Sequence, residues 1–292
     1  MSRAGSIDAR TSVVAVIGDP IEHSRSPAMH NAAFRRLRLP FIYVAFRVAP
    51  EDVGPAIAGV RALGMRGLNV TVPHKRAVMP HLDRLSERAR ACGAVNTIVN
   101  RAGVLEGENT DVLGFERDLA ALGPGRRPLG CAVVLGAGGS ARAVAVALGK
   151  RARRVVVAAR RIEQARDLVE ELAPLVRSEL AAIDLAELAP GRPGARDALA
   201  KAALVVNSTS LGMRGEPFAS LAYDLTPASC FFYDLIYTAR RTPFLAPAAR
   251  LRRSTANGLG MLLHQGAAAF ELWTGVEPPL DVMRRALARA SV

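Results

Sequence analysis

Residues 133–148 read VVLGAGGSARAVAVAL, and few stretches of this length leave a chain less freedom. An aliphatic run stops at Gly136, a second glycine follows at 138, and Ala141 stands three residues further on, at the head of an apolar helical pattern. This is G-x-G-x-x-A between a strand and a helix. The first glycine makes the tight turn, the second lets a pyrophosphate approach the backbone, and the small third residue lets helix and strand pack closely. The helix N-terminus then offers N–H groups to an anion. Such a unit buries its apolar faces in a layered α/β fold with a parallel sheet.

The rest of the chain follows the same alternation. Strand patterns near 11–17, 41–48, 68–72 and 94–99 are separated by helical ones near 26–37, 51–63 and 83–91, and GENTD leads into a helix over 112–122. Ser26 before Pro27 predicts a helix start, with the serine as cap and the proline in the first turn. Gly64 ends the second helix. At 123–130, GPGRRPLG interrupts the periodicity, and a second series has strands near 155–159, 204–207 and 231–236. APGRPGARDA (189–198) predicts a surface loop, and the chain from Asn257 onward predicts two helices parted by Pro278 and Pro279. Strands alternating with helices predict mainly parallel sheets.

Composition removes several function classes. A chain of 292 residues, 50% hydrophobic and 22% charged, suits one or two globular domains rather than disorder. It carries neither a signal-like leader nor an apolar run long enough to span a bilayer, which predicts a soluble, cytoplasmic protein. Cys92, Cys131 and Cys230 are odd in number and far apart, so neither a disulfide framework nor a metal site is expected. The net charge of +13 raises nucleic-acid binding, but the arginines come as scattered pairs such as Arg126-Arg127 and Arg240-Arg241 without interleaved aromatics. That charge reads as solvated surface, able to draw in a small anionic substrate.

Two local patterns carry chemistry. After the glycine-rich turn, the second strand ends VVVAARRIEQAR, with Arg160 and Arg161 at its tip where an NAD site would place an acid to hold the ribose hydroxyl, so the cofactor read here is NADP. The other pattern is GLNVTVPHKRA (67–77). Of the 39 basic side chains 36 are arginines, and lysine occurs only at 75, 150 and 201. Lys75 follows the carboxyl end of a strand, where ligands of α/β sheets sit, and a lysine can trade a proton as a guanidinium cannot. Asp111 supplies the expected carboxylate partner, with capping of the following helix as a second role. Short polar side chains at Ser24, Ser26, Asn69, Thr71, Asn96 and Gln265 suit a polyhydroxylated substrate held by hydrogen bonds without a metal.

In order, the blocks GDPIEHSRSPAMHNAAF, GLNVTVPHKRAV, CGAVNTI, GENTDVLGF, GAGGSARA, VNSTSLGM, YDLIYTARRTPFL and NGLGMLLHQGAAAFELWTG span nearly the whole chain. Together they resemble the shikimate dehydrogenase family. The resemblance implies NADPH-dependent, reversible reduction of 3-dehydroshikimate to shikimate, a step toward chorismate and the aromatic amino acids. Lys75 and Asp111 match the catalytic pair. Ser24 and Ser26 would face the substrate carboxylate with Tyr237 beside it, and ring-hydroxyl contacts would fall on Asn69, Thr71, Lys75, Asn96, Asp111 and Gln265. The cofactor would lie on Gly136, Ala137, Gly138, Gly139, Ser140, Ala141, Arg160, Arg161, Thr209, Gly258 and Met261. The implied fold has two α/β domains with a cleft between them: a substrate domain (1–111), a Rossmann NADP domain (112–256), and C-terminal helices (257–292) returning to the first.

One block departs from the family. Its Asn-Arg-Thr, with another basic residue three positions on, reads here Ala159-Arg160-Arg161 and then Gln164. The rival readings are a quinate/shikimate dehydrogenase using NAD and a non-catalytic nicotinamide-binding scaffold. Ser26, where quinate users tend to carry a larger hydroxyl residue, and the lack of an acid near Ala159 weigh against the first; retention of both Lys75 and Asp111 weighs against the second. The expected partner is the small-molecule substrate, with no nucleic acid and no membrane, and monomer and homodimer both stay open.

Overall fold

The structure is a computed structural model that describes residues 7–124, 128–213, 215–216, 218 and 221–290. The pair Arg126-Arg127 lies outside the described residues. Two compact units divide the chain, one of 7–114 with 262–290 and the other of 115–261.

The first unit contains β1 (Ser12–Gly18), α1 (Ser26–Leu37), β2 (Phe41–Arg47), α2 (Val53–Ala62), β3 (Gly67–Val70), β4 (Arg84–Leu85), α3 (Glu87–Cys92), β5 (Thr97–Arg101), β6 (Val104–Glu108) and the start of α4 (Thr110–Ala121). Its sheet runs β2-β1-β3-β5-β6-β4. β1 is parallel to β2 and β3, but β5 is antiparallel to β3 and β6, so the sheet is mixed where the sequence pattern predicts a mainly parallel one. The β5–β6 reversal is a tight hairpin: Ala102 and Gly103 both have positive φ (52° and 91°), the turn that suits the twist of paired strands. VLEGE is too short and too polar to announce the returning strand.

Alternation along β1 sorts its side chains to the two faces of the sheet. Val14 and Val16 pack with Phe34, Tyr43, Phe270 and Trp273, whereas Ala15 and Ile17 pack with Ile57, Val60, Leu68 and Val70. The Trp273 indole nitrogen donates to Ile98 O at 3.0 Å, and a Cβ on Gly67 would lie 2.1 Å from that nitrogen. Glycine opens β3 because the indole fills the space.

The helix starts differ from the expected ones in detail. Ser26 is not a cap: it is the first residue of α1, Arg25 holds the cap position with no side-chain bond to the helix, and the Ser24 hydroxyl accepts the Ser26 N–H at 3.4 Å. Asp111 is not a cap either. The Asn109 side chain takes that role, accepting the N–H groups of Asp111 (3.1 Å) and Val112 (3.4 Å).

The second unit continues with β7 (Leu129–Leu135), α5 (Gly139–Leu148), β8 (Ala152–Ala159), α6 (Ile162–Leu172), β9 (Glu179–Asp184), α7 (Pro193–Leu199), β10 (Ala202–Asn207), β11 (Phe231–Asp234), α8 (Leu245–Arg250) and β12 (Ser254–Asn257). The order β9-β8-β7-β10-β11-β12 is parallel throughout, the doubly wound arrangement whose direction of winding reverses between β7 and β10. Its edge strands are not revealed by the periodicity: β9 (ELAAID) is mostly small and only partly buried, and β12 (STAN) is short and polar. The segment expected to loop out at 189–198 instead contains the start of α7, because Pro193 sits in a helix first turn, where its missing N–H costs nothing. The chain then enters α9 (Leu259–Thr274) and α10 (Leu280–Arg289), the two expected C-terminal helices. Among the described residues no helix is long and apolar enough to cross a membrane, and no cluster of His, Cys, Asp and Glu could hold a metal ion.

Candidate functional site

The polar centre of the first unit is built from three chain turns. Lys75 lies in the turn after β3, its backbone fixed by the Val95 N–H donating to Lys75 O at 2.8 Å. Asn96 immediately precedes β5. Asp111 occupies the first turn of α4, and because Asn109 caps that helix the Asp111 carboxylate remains available for other partners. Lys75 Nζ donates to Asp111 Oδ2 at 2.6 Å, with side-chain exposures of 11% and 8%. Asn96 Nδ2 donates to the other oxygen, Oδ1, at 2.8 Å, and to Thr110 Oγ1 at 3.0 Å. Gln265, on α9, brings its Oε1 within 3.4 Å of the same amide. The carboxylate is thus gripped on both oxygens, which fixes the plane from which it holds the ammonium.

Asn69 supports this centre from below. Its amide nitrogen donates to Asn96 O (3.1 Å) and Thr97 Oγ1 (3.0 Å), so both amide hydrogens are committed inside the protein. Its oxygen accepts from the Tyr43 hydroxyl at 2.7 Å, and the Tyr43 ring stacks on His30 at 4.4 Å with planes 3° apart. Thr110 N–H donates to Asn96 Oδ1 at 2.7 Å, which sets the orientation of the Asn96 amide. Ser24 and Ser26 form a separate pair at the start of α1, Ser24 half-buried and Ser26 buried, while Thr71 is half-buried directly after β3.

The second unit carries the glycine-rich turn in the setting the sequence predicts. Gly136 has φ 106°, and a Cβ there would come within 3.0 Å of Ser208 Oγ and Thr209 Cγ2. Both the backbone and the packing therefore exclude a side chain. Gly138 sits at the cap position of α5, and a Cβ there would meet nothing within 4 Å. Its smallness leaves open space where a phosphate would approach, and Gly139, Ser140 and Ala141 form the first helical turn behind it. Ala141 is fully buried against the sheet. Thr209 follows β10 at the winding reversal. Arg160 and Arg161 are exposed at the end of β8, and neither is drawn into an ion pair among the described residues. An open glycine cradle, a helix N-terminus and two exposed guanidiniums fit a dinucleotide bearing an extra phosphate. Gly258 and Met261 stand at the entry to α9, and a Cβ on Gly258 would lie 2.1 Å from Leu235 O. Tyr237 is half-buried on the loop after β11.

The family model described as "Shikimate dehydrogenase substrate binding domain" matches residues 16–98, and that described as "Shikimate 5'-dehydrogenase C-terminal domain" matches 258–288. The "Shikimate dehydrogenase (NADP(+))" of Symbiobacterium thermophilum is 47% identical over 287 residues, covering 95% of this chain and 94% of its own. The chain belongs to the shikimate dehydrogenase family. Among solved structures, the shikimate 5-dehydrogenase of Thermus thermophilus in complex with NADP(H) and shikimate superposes with a TM-score of 0.81 at 38% identity, covering 96% of this chain and 99% of that one. A quinate dehydrogenase of Corynebacterium glutamicum in complex with NAD gives a TM-score of 0.85 at 33% identity, with 96% and 99% covered. The backbone is therefore shared with proteins whose names give different substrates and cofactors.

Of the residues singled out in the sequence, the structure gathers Lys75, Asn69, Asn96, Asp111 and Gln265 into one hydrogen-bonded centre and the glycine-turn residues with Thr209 into another. Tyr43, His30 and Thr110 were not singled out. Thr110 and His30 lie inside the quoted GENTDVLGF and GDPIEHSRSPAMHNAAF blocks, and Thr110 could have been found beside Asp111, whereas His30 on a helical pattern and Tyr43 on a strand pattern read as ordinary core positions.

Proposed function

We propose that this member of the family is an NADP-dependent shikimate dehydrogenase, reducing 3-dehydroshikimate to shikimate and running in reverse when product accumulates. The observation that carries this reading is the buried Lys75–Asp111 pair, 2.6 Å apart and oriented by Asn96. A binding-only protein has no use for such a pair, since burying two charges costs several kcal/mol per ion before their attraction offsets it. The names of the relatives support the substrate and the cofactor.

Bound NADPH would supply the hydride. Lys75 stabilises the charge that develops on the substrate oxygen and gives up a proton to it, directly or through water. Asp111 holds the ammonium in place through Oδ2 while Asn96 fixes the carboxylate through Oδ1, so the donor is oriented before substrate arrives. Ser24 and Ser26, with Tyr237, are assigned to the substrate carboxylate, and Thr71 and Gln265 to its hydroxyls. Asn69 acts by holding Asn96. The domains follow the same division: residues 1–111 with the C-terminal helices take the substrate, and 112–256 takes NADP through Gly136, Ala137, Gly138, Gly139, Ser140, Ala141 and Thr209. Arg160 and Arg161 answer the 2′-phosphate. The same reading makes the protein cytoplasmic.

The test is the near-ultraviolet absorbance of reduced nicotinamide, followed with shikimate and with quinate, each with NADP and with NAD. Reduction chiefly with shikimate and NADP is the expected result. Equal turnover of quinate, or a preference for NAD, would move the protein to the quinate branch. Silence in all four combinations from folded protein would overturn the enzymatic reading.

A further inference from the structure

Asn207 and Asp234 lie in the same two sequence blocks as Thr209 and Tyr237, VNSTSLGM and YDLIYTARRTPFL. Both have no exposed surface, and they stand opposite each other in register at the carboxyl ends of β10 and β11. Asp234 is held by neutral donors alone among the described residues. Asn207 Nδ2 (2.9 Å) and the Ile236 N–H (3.0 Å) donate to Oδ1, and the Thr242 hydroxyl donates to Oδ2. Burial pushes its pKa up to about 6, so the carboxylate is costly to keep there.

The donors define what the carboxylate holds. With its amide nitrogen turned to Asp234, Asn207 must present its oxygen the other way, where it accepts the Thr209 N–H (3.1 Å) and the Thr209 hydroxyl (2.7 Å). Thr209 is the residue packed against Gly136 in the phosphate turn. On the other side, Ile236 and Thr242 are the two ends of the loop that bears Tyr237, and each end is tied to one oxygen of the same carboxylate. The outside of that loop is held by Asn257 Nδ2 donating to Ala239 O at 3.0 Å and by the Gly258 N–H donating to Ile236 O at 3.2 Å.

We propose that Asp234 is a positioning residue that sets two binding elements at once, Thr209 at the cofactor turn and the Tyr237 loop at the substrate, so that one buried group outside both sites governs affinity for both. This rests on the functional reading above for the role of Tyr237.

The test uses full-length protein and three readouts: NADPH affinity from the cofactor's own fluorescence, KM for shikimate, and melting temperature. Asn207→Ala, which removes both bonds to Thr209 and the one to Asp234, should weaken NADPH binding about tenfold or more, with KM for shikimate within about twofold. Thr242→Val should do the reverse, raising KM about tenfold and leaving NADPH affinity within about twofold. Asp234→Ala should show both losses. Asp234→Asn should recover most of each, because the Thr242 hydroxyl can turn and accept from the new amide. If Asp234→Ala does not fold, the opposed shifts of the two single variants still carry the test. A lowered melting temperature with both binding constants unchanged would overturn the proposal, as would equal shifts of both constants in Asn207→Ala and Thr242→Val. Wild-type protein that binds NADPH but does not turn over shikimate would sink the functional reading instead, while the Asn207→Ala effect on NADPH would still stand or fall by itself.

Discussion

Replacing His30 should change how the protein responds to acid. The ring lies in α1 with no exposed surface and neither nitrogen hydrogen-bonded among the described residues, enclosed by Tyr43, Phe34, Phe270 and Trp273. Desolvation in that cage lowers its pKa from 6.5 to about 3. The folded state therefore binds a proton more weakly than the unfolded state. The sign follows: stability from this group is complete above pH 6.5 and drains away as pH falls toward 3. Between about pH 7 and pH 5 the loss is about 2 kcal/mol, nearly all from protonation of the unfolded chain.

Asp234 pulls the other way. Its pKa is raised from 3.8 to about 6, so the folded state gains stability as pH falls through that window, by about 1 kcal/mol between pH 7 and pH 5. The two partly offset, so the acid response of the wild-type protein alone would not separate them. The difference between wild type and His30→Leu isolates the histidine, because any packing change in the variant is independent of pH. That difference should move by about 2 kcal/mol in favour of the variant from pH 7 to pH 5, roughly 3–4 °C in melting temperature for a chain of this size. Trp273, the single tryptophan and a neighbour of His30, gives the fluorescence signal for the measurement. A difference that stays flat with pH would refute the argument that the buried ring is held neutral by desolvation.

Other substitutions test other links. Lys75→Ala should cut kcat by about 10²–10⁴-fold, the usual worth of a positioned proton donor, with a smaller change in KM; steady-state kinetics with shikimate and NADP decide it, and wild-type turnover would remove the assigned role. Arg160→Ala and Arg161→Ala should each be read as KM for NADP against KM for NAD. Loss of a charge-assisted contact raises the first by about tenfold or more and leaves the second unchanged, and the variant that shows no such effect identifies the guanidinium that does not face the 2′-phosphate. Gly67→Ala should lower the melting temperature by several degrees, about 1–3 kcal/mol of overpacking, because the new methyl meets the Trp273 indole and Ile98 O. An unchanged melting temperature would mean that the indole can move aside.

What the sequence disclosed and what it withheld divide along one physical line. Gly136, Gly138 and Ala141 are legible because their chemistry is local: a turn, a backbone approach and a helix packing distance all fit within a few residues. Lys75 stands out against a background of arginine, and Asp111 lies in the GENTDVLGF block at the end of the first α/β series, where the chain crosses into the second. The mixed sheet escapes notice because β6 is five residues long and half polar, and only its pairing with β5 makes it a strand. The supporting groups are harder still. Asn207 and Asp234 are 27 positions apart and meet only because β10 and β11 pair in that register. Tyr43 and His30 look like ordinary core residues, and nothing in their neighbours announces that the tyrosine hydroxyl reaches Asn69.

A residue that touches substrate must have a particular chemistry at a particular point, which narrows its type and leaves a trace in a single sequence. A residue that holds another needs only a donor or acceptor at the right place in the fold, and many residue types on many elements could supply it. The buried polar network is nevertheless where the structure constrains function most tightly, since its supporting groups are committed to one another. Asn69 has spent both amide hydrogens, and the Asp111 carboxylate is held at both oxygens. Removing one such member leaves its partners buried and unsatisfied, a cost that falls on the orientation of Lys75 before it falls on the fold.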